Sequence, residues 1–150
     1  IRIIAAGKML SAFHILRAMA LGADAVNSAR GMMLALGCIQ SRTCNTDECP
    51  TGIATQNPAR NKGLVVTDKA QRVANFHRDT VKSLVELIGA AGLNNLNELR
   101  PEHINRRIQG TDVKNYAQLY PEIISGSLLQ ESTVDPSWKY DWDKANASAW

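Results

Sequence analysis

Three cysteines are all this chain has, and an odd number cannot close into disulfides without leaving one thiol over. Long apolar runs are missing too. The longest, such as residues 31–39, fall far short of the ~18 residues that a membrane-spanning helix takes. Charge of one sign is also scarce. The net charge of +3 divides as +2, +4 and −3 over residues 1–50, 51–110 and 111–150. That balance is too weak and too mixed to argue for nucleic acid or an acidic membrane surface. No internal repeat, low-complexity block or signal peptide is visible. What remains is 150 residues, 45% hydrophobic and 21% charged, the composition of an ordinary globular protein and one domain's worth of chain. Such a chain buries roughly 70% of its unfolded surface. It opens on Ile1 inside what reads as a strand, so we expect a piece of something longer.

The three cysteines fall within a dozen residues, as Cys38, Cys44 and Cys49, in the run from Gly37 to Gly52. Their spacing, Cys-x5-Cys-x4-Cys, lets three thiols converge on one small inorganic object. Tetrahedral zinc would need a fourth ligand, and His77 is the only obvious candidate. A cluster of three irons needs only three thiolates, and Cys49-Pro50 ends the run as in ferredoxin-type sequences. Three unrelated buried thiols are the bland alternative. A metal or cluster site is the stronger reading.

Upstream, residues 1–6 form a short β-branched run read as a buried strand, with Gly7-Lys8 as the loop at its C-terminal end. Ser11 is the expected cap of a helix to Leu21, packing through Phe13, Leu16, Ala20 and the Arg17 stem. Gly22 stops it. Residues 25–28 read as a second strand, Ala29-Arg30-Gly31 as a second loop, and Met32 as the start of a second helix. Strand–loop–helix–strand–loop–helix is the unit of a parallel α/β fold. Glycines in both loops allow close backbone approach to a ligand, and helix starts point N–H groups at an anion. Lys8 and Arg30 add positive charge. Plain turns explain the same glycines equally well.

Ala5-Ala6-Gly7-Lys8-Met9, Asn27-Ser28-Ala29-Arg30-Gly31-Met32-Met33, Ala35-Leu36-Gly37-Cys38-Ile39-Gln40 and Cys49-Pro50-Thr51-Gly52 resemble, in order, the FMN-binding synthase domain of glutamate synthase and its stand-alone relatives. The match is dense over residues 1–56 and looser to about 107. Many members read Ser-Gly-Lys where this chain has Ala6-Gly7-Lys8, a loss of one hydroxyl. Others read Thr-Gly-Phe-Asp where it has Ser11-Ala12-Phe13-His14. The resemblance implies the C-terminal part of a (β/α)8 TIM barrel, its last two strand–helix units, where a whole barrel takes ~250 residues. It implies FMN held by Ala6, Gly7, Lys8, Ala29, Arg30 and Gly31, and a 3Fe–4S cluster on Cys38, Cys44 and Cys49. It further implies reductive amination of 2-oxoglutarate with ammonia from glutamine. The electrons would come from an NADPH-linked subunit or ferredoxin. Catalytic residues would lie outside this chain, which we do not expect to be active alone. The remainder of its barrel or sister subunits would be its protein partners, with no nucleic acid and a cytoplasmic location. A related FMN and iron–sulfur amino-transfer enzyme, such as an N-methylglutamate synthase subunit, and a non-catalytic electron-transfer module are the alternatives.

We divide the chain into a barrel end with cluster loop (1–56), a helical extension packing on it (57–110) and an irregular tail (111–150). In the extension, Thr67-Asp68 are expected to cap a long helix to about Gly89. Its packed face is expected to carry Ala70, Val73, Ala74, His77, Val81, Leu84, Val85 and Ile88. His77 there reads first as a partly buried histidine bonded to a backbone carbonyl. Arg106-Arg107 reads as a solvated patch near a helix end, with an anion site there as an alternative that nothing in the sequence supports. In the tail, Trp138, Tyr140 and Trp142 alternate as if along one side of an extended segment docked on another surface.

Overall fold

The computed structural model describes residues 1–130 and 134–148. The parts of the expected tail at 131–133 and 149–150 lie outside the described residues. The expected alternation at the N-terminus is present, with shorter strands: β1 (Ile4–Ala5), α1 (Ala12–Ala20), β2 (Ala25–Val26) and α2 (Ala29–Leu36). The strands β1 and β2 pair in parallel, Ile4 opposite Ala25 and Ala5 opposite Val26. Asp24 secures this pairing from the turn before β2, accepting from the Ile3 N–H at 2.8 Å and from Arg2 Nη1 at 2.7 Å. Those bonds hold its carboxyl below the usual range, the Ile3 amide first and Arg2 second. Ile3 and Ile4 stay 56% and 65% exposed, so the sheet face is apolar and uncovered.

Ser11 caps α1 as its sequence predicts, accepting from the His14 N–H. The buried face of α1 is Ala12, Leu16 and Ala20. Phe13, expected inward, is 47% exposed. Helix α2 begins at Ala29, three residues before the expected Met32, so Ala29-Arg30-Gly31 is its first turn instead of a loop. Gly37, at φ 106°, ends it.

A short α3 (Pro58–Asn61) precedes α4 (Val66–Ala90), which packs across both α1 and α2. Thr67 and Asp68 sit within the first turn of α4 and do not cap it, although Asp68 there complements the helix dipole. The face that α4 turns inward is Lys69, Val73, Phe76, Thr80, Leu84, Leu87 and Ile88. Ala70, Ala74, His77, Val81 and Val85 are exposed, so the helix is rolled away from the expected stripe. The physical reason is that α4 must serve two helices at once. It uses Phe76, Thr80 and the Lys69 stem where the apolar stripe offered small alanines.

Beyond α4, β3 (Asn105–Gln109) and β4 (Asp112–Asn115) form an antiparallel hairpin, followed by α5 (Tyr116–Leu119). Strand β3 therefore falls in the stretch expected to be helical, and β4 and α5 in the stretch expected to be irregular from Thr111. Gly110, at φ 55°, makes the turn between the strands. Helix α6 (Pro136–Lys144) replaces the expected extended aromatic segment. Asp135 caps it through the Ser137 N–H and Pro136 takes the first helical position. Trp138 and Trp142 therefore share a face by i, i+4 spacing, while Tyr140 turns away, under the Lys144 ammonium 4.1 Å from its ring centre. The core lies between α1, α4 and the segment that follows: Leu16, Ala20, Ile88, Leu99, Ile104 and Tyr116, with Leu84, Leu87 and Leu96 packed on it. Among the described residues no helix is long and apolar enough to cross a membrane.

Candidate functional site

Parallel strands that end together present their following loops and helix starts on one side, and here those parts meet around a cavity of about 550 Å³. Ala6, Gly7 and Lys8 line it from the end of β1. Asn27, Ala29 and Arg30 line it from the end of β2 and the first turn of α2. Gly7 (φ 107°) and Lys8 (φ 55°) both lie in the left-handed region, and nothing stands within 4 Å of where a Gly7 side chain would begin. The backbone there is open to a ligand. Met33 and Leu34 give the cavity an apolar wall from α2.

The start of α2 is unusual in its cap. Ser28 makes no side-chain bond to its own helix, and its hydroxyl donates to the Met9 carbonyl at 2.6 Å. That bond joins the first loop to the second helix and leaves the first-turn N–H groups of α2 without a side-chain cap. Gly31 sits behind the cavity wall, buried. A side chain there would run into the Ser28 hydroxyl and press on Met9 O and the Phe76 ring, so its absence serves packing of α2 on its neighbours. Lys8 and Arg30 are exposed, and neither belongs to an ion pair among the described residues.

The cysteine loop closes the same cavity, with Cys38, Gln40, Arg42 and Cys44 on its wall. Gln40 (φ 58°), Arg42 (φ 62°) and Asp47 (φ 62°) hold left-handed backbone that non-glycine residues adopt at a cost. The loop is braced from its C-terminal side. Asp47 Oδ1 accepts from the Gln56 N–H at 2.6 Å and the Thr55 hydroxyl at 3.0 Å, and Arg60 Nη1 donates to the Glu48 carbonyl at 2.7 Å. At Gly52 (φ 78°) a side chain would collide with the Arg60 carbonyl. Sequence reasoning did not mark Asn27, Gln40, Arg42 or these braces. Asn27 could have been found from its place at the end of β2. A left-handed φ at Gln40 or Arg42 has no signal in residue type.

All three cysteines are free: Cys49 buried, Cys38 half-buried, Cys44 exposed. Cys38 Sγ accepts from the Gln40 N–H at 3.4 Å. The Thr51 hydroxyl lies 3.4 Å from Cys49 Sγ. With the amides of Ala54, Thr51 and Ile53, it holds the Cys49 thiol down from 9.0 to about 6. These contacts favour the Cys49 thiolate over the thiol. Cys44 borders a second depression with Ile53 and Ala54, the residues whose amides serve Cys49. Cys44 thus shares a cavity wall with Cys38 and two neighbours with Cys49. Among the described residues, however, no three His, Cys, Asp or Glu side chains are gathered closely enough to hold a metal ion. His77 is exposed on α4, which also corrects the expectation of a buried histidine.

Two parallel strand–helix units open onto one cavity, with the three-thiol loop at its wall. Residues 1–94 match the conserved region in glutamate synthase. The glutamate synthase large subunit-like protein YerD of Bacillus subtilis (strain 168) is 39% identical over 125 residues, covering 83% of this chain and 24% of that protein. An archaeal glutamate synthase (NADPH) of Methanocaldococcus jannaschii is 40% identical over 114 residues, 76% of this chain and 22% of its own length. The glutamate synthase (NADPH) large chain of B. subtilis is 28% identical over 128 residues, 85% of this chain and 8% of its own. No solved structure matches. The chain belongs to the glutamate synthase family, and it spans no more than about a quarter of the length of these relatives.

Proposed function

We propose that this chain forms the phosphate-binding end of an FMN site and the thiolate loop of a 3Fe–4S centre in a glutamate synthase-type oxidoreductase. It would do so as the last two strand–helix units of a (β/α)8 barrel. The observation that carries this reading is the shared cavity, whose wall includes Gly7, Lys8, Ala29, Arg30, Cys38 and Cys44 together.

The wall suits a phosphate ester. The open Gly7 backbone and the N–H groups at the start of α2 donate to its oxygens, and Lys8 and Arg30 balance its charge. Met33 and Leu34 keep water from the side of the cavity next to α2. The loop suits iron and sulfide in its donor set: thiols alone, three of them, with Cys49 already favoured as thiolate. Ligation by Cys38, Cys44 and Cys49 would be coupled to ordering of the loop, as metal sites commonly are. Bound there, the two groups would supply electron and hydride transfer to the imine of 2-oxoglutarate and ammonia, giving glutamate. The ammonia would derive from glutamine and the electrons from an NADPH-linked subunit or ferredoxin. The whole would work in the cytoplasm.

Flavin titration of the intact protein beside thermal melting tests this reading. Gly7→Val should weaken FMN binding, because a side chain fills the approach to the backbone. Arg30→Ala should cost about 1.5–3 kcal/mol of flavin binding, as for hydrogen bonds to charged groups, with the melting temperature unchanged. A lower melting temperature with full flavin affinity would make Arg30 a structural residue and remove the phosphate site.

A further inference from the structure

We propose a second ligand site, for a compact polyanion with two or more negative charges, in a cavity of about 670 Å³ between α1 and the β3–β4 hairpin. It shares no lining residue with the flavin-side cavity. Arg17 reaches it from α1 and Arg106 and Arg107 from β3, while Phe13, Tyr116 and Tyr120 form its aromatic wall. No carboxylate lines it, and the side chains of the three arginines have no ion-pair or hydrogen-bond partner among the described residues.

All three arginines are exposed, as expected of Arg106-Arg107, yet they border one cavity. Consecutive strand residues point to opposite faces, so Asn105, Arg106 and Arg107 border one cavity only along an unpaired strand edge. Among the described residues β3 pairs with β4 alone, which leaves that edge open. Across the hairpin Arg106 faces Lys114, a like-charge pair that disfavours the register unless an anion offsets it. The aromatic wall is fixed as well. Tyr116 is buried and holds the Tyr120 ring edge-on at 5.3 Å between centroids. Positive charge from Arg17 and the Arg106-Arg107 edge around one cavity, with no acid lining it, suits the oxygens of a phosphate ester or a polycarboxylate.

Isothermal titration of the intact protein with inorganic pyrophosphate and, separately, with citrate tests the site. Saturable binding of either probe at one site is expected, the responding probe showing whether phosphate or carboxylate is preferred. The double variant Arg106→Gln/Arg107→Gln should bind about ten- to a hundredfold more weakly, with melting temperature unchanged or raised. Arg72→Gln, a control on the exposed face of α4, should bind as the parent does. Absence of saturable binding by both probes would overturn the proposal. So would binding in the double variant as tight as in the parent.

Discussion

From Lys8 to Asp47 four non-glycine residues hold left-handed backbone, and from α4 onward none does among the described residues. Each such residue costs of order 1–3 kcal/mol, so the surrounding structure has to hold it in place. In the cavity end of the molecule the holding is done by polar bonds, Ser28 to Met9 and Asp47 to Thr55 and Gln56. In the helical end it is done by apolar burial around Leu16, Ile88, Leu99 and Tyr116. Cys49 is the only buried residue of the cysteine loop apart from Gly52, and it lies outside that core cluster. One end thus provides stability, and the other uses it to keep a strained, open backbone ready for ligands.

The comparison breaks most visibly if the core is opened. Leu16→Ala should lower stability by about 2–5 kcal/mol, the range for truncating a buried leucine, and denaturant melts would measure it. The protein that remains folded should keep its iron-to-flavin ratio, because Leu16 belongs to the core cluster and does not line the cavity. A smaller effect of opposite character is expected at Gly52→Ala. Its methyl group meets the Arg60 carbonyl and its φ of 78° is strained for alanine, so overpacking and strain together should cost about 1–3 kcal/mol. That cost should fall on the loop: iron content should drop while the global melt moves little. Equal losses at both sites would erase the distinction between the two ends.

The smallest effect concerns Asp24 at the rim of the parallel strands. Its folded carboxyl lies below its unfolded value, so its contribution to stability is present above the unfolded value. That contribution is lost as pH falls through the folded one. Asp24→Asn should therefore flatten the acid limb of the stability profile below the ordinary aspartate range and leave the profile above neutral pH parallel to that of the parent. An unchanged acid limb would place the Asp24 bonds to Ile3 and Arg2 outside the folded-state balance.

The same division explains what could be read from residues alone. The cap at Ser11, the stop at Gly22 and the order of the first two strands and helices were legible because each is decided within a few residues. The face of α4 was not. Ala70, Ala74 and Val85 complete an apolar stripe in one dimension, but two helices on one side select Phe76, Thr80 and Leu87. The hairpin at 105–115 escaped because both of its strands are exposed and carry no alternation. The alternating Trp138, Tyr140 and Trp142 invited an extended reading although Asp135-Pro136 was a helix start in plain view. At the cavity, residues 6–8 and 29–30 were marked in advance by the two glycine loops and the resemblance, and the cysteines by their spacing; all of these but Cys49 line it. The left-handed Gln40 and Arg42 were not marked, since their backbone is imposed by the loop's braces and not by the residues themselves.

Iron, sulfide and zinc analysis of the anaerobically prepared intact protein, with electron paramagnetic resonance, tests the central claim most directly. The account predicts three irons with four sulfides, one thiolate to each iron. Serine at Cys38, Cys44 or Cys49 should abolish the cluster in every case, because no spare thiol exists in the chain. Stoichiometric zinc without sulfide, or a cluster that survives any one of the three substitutions, would contradict it.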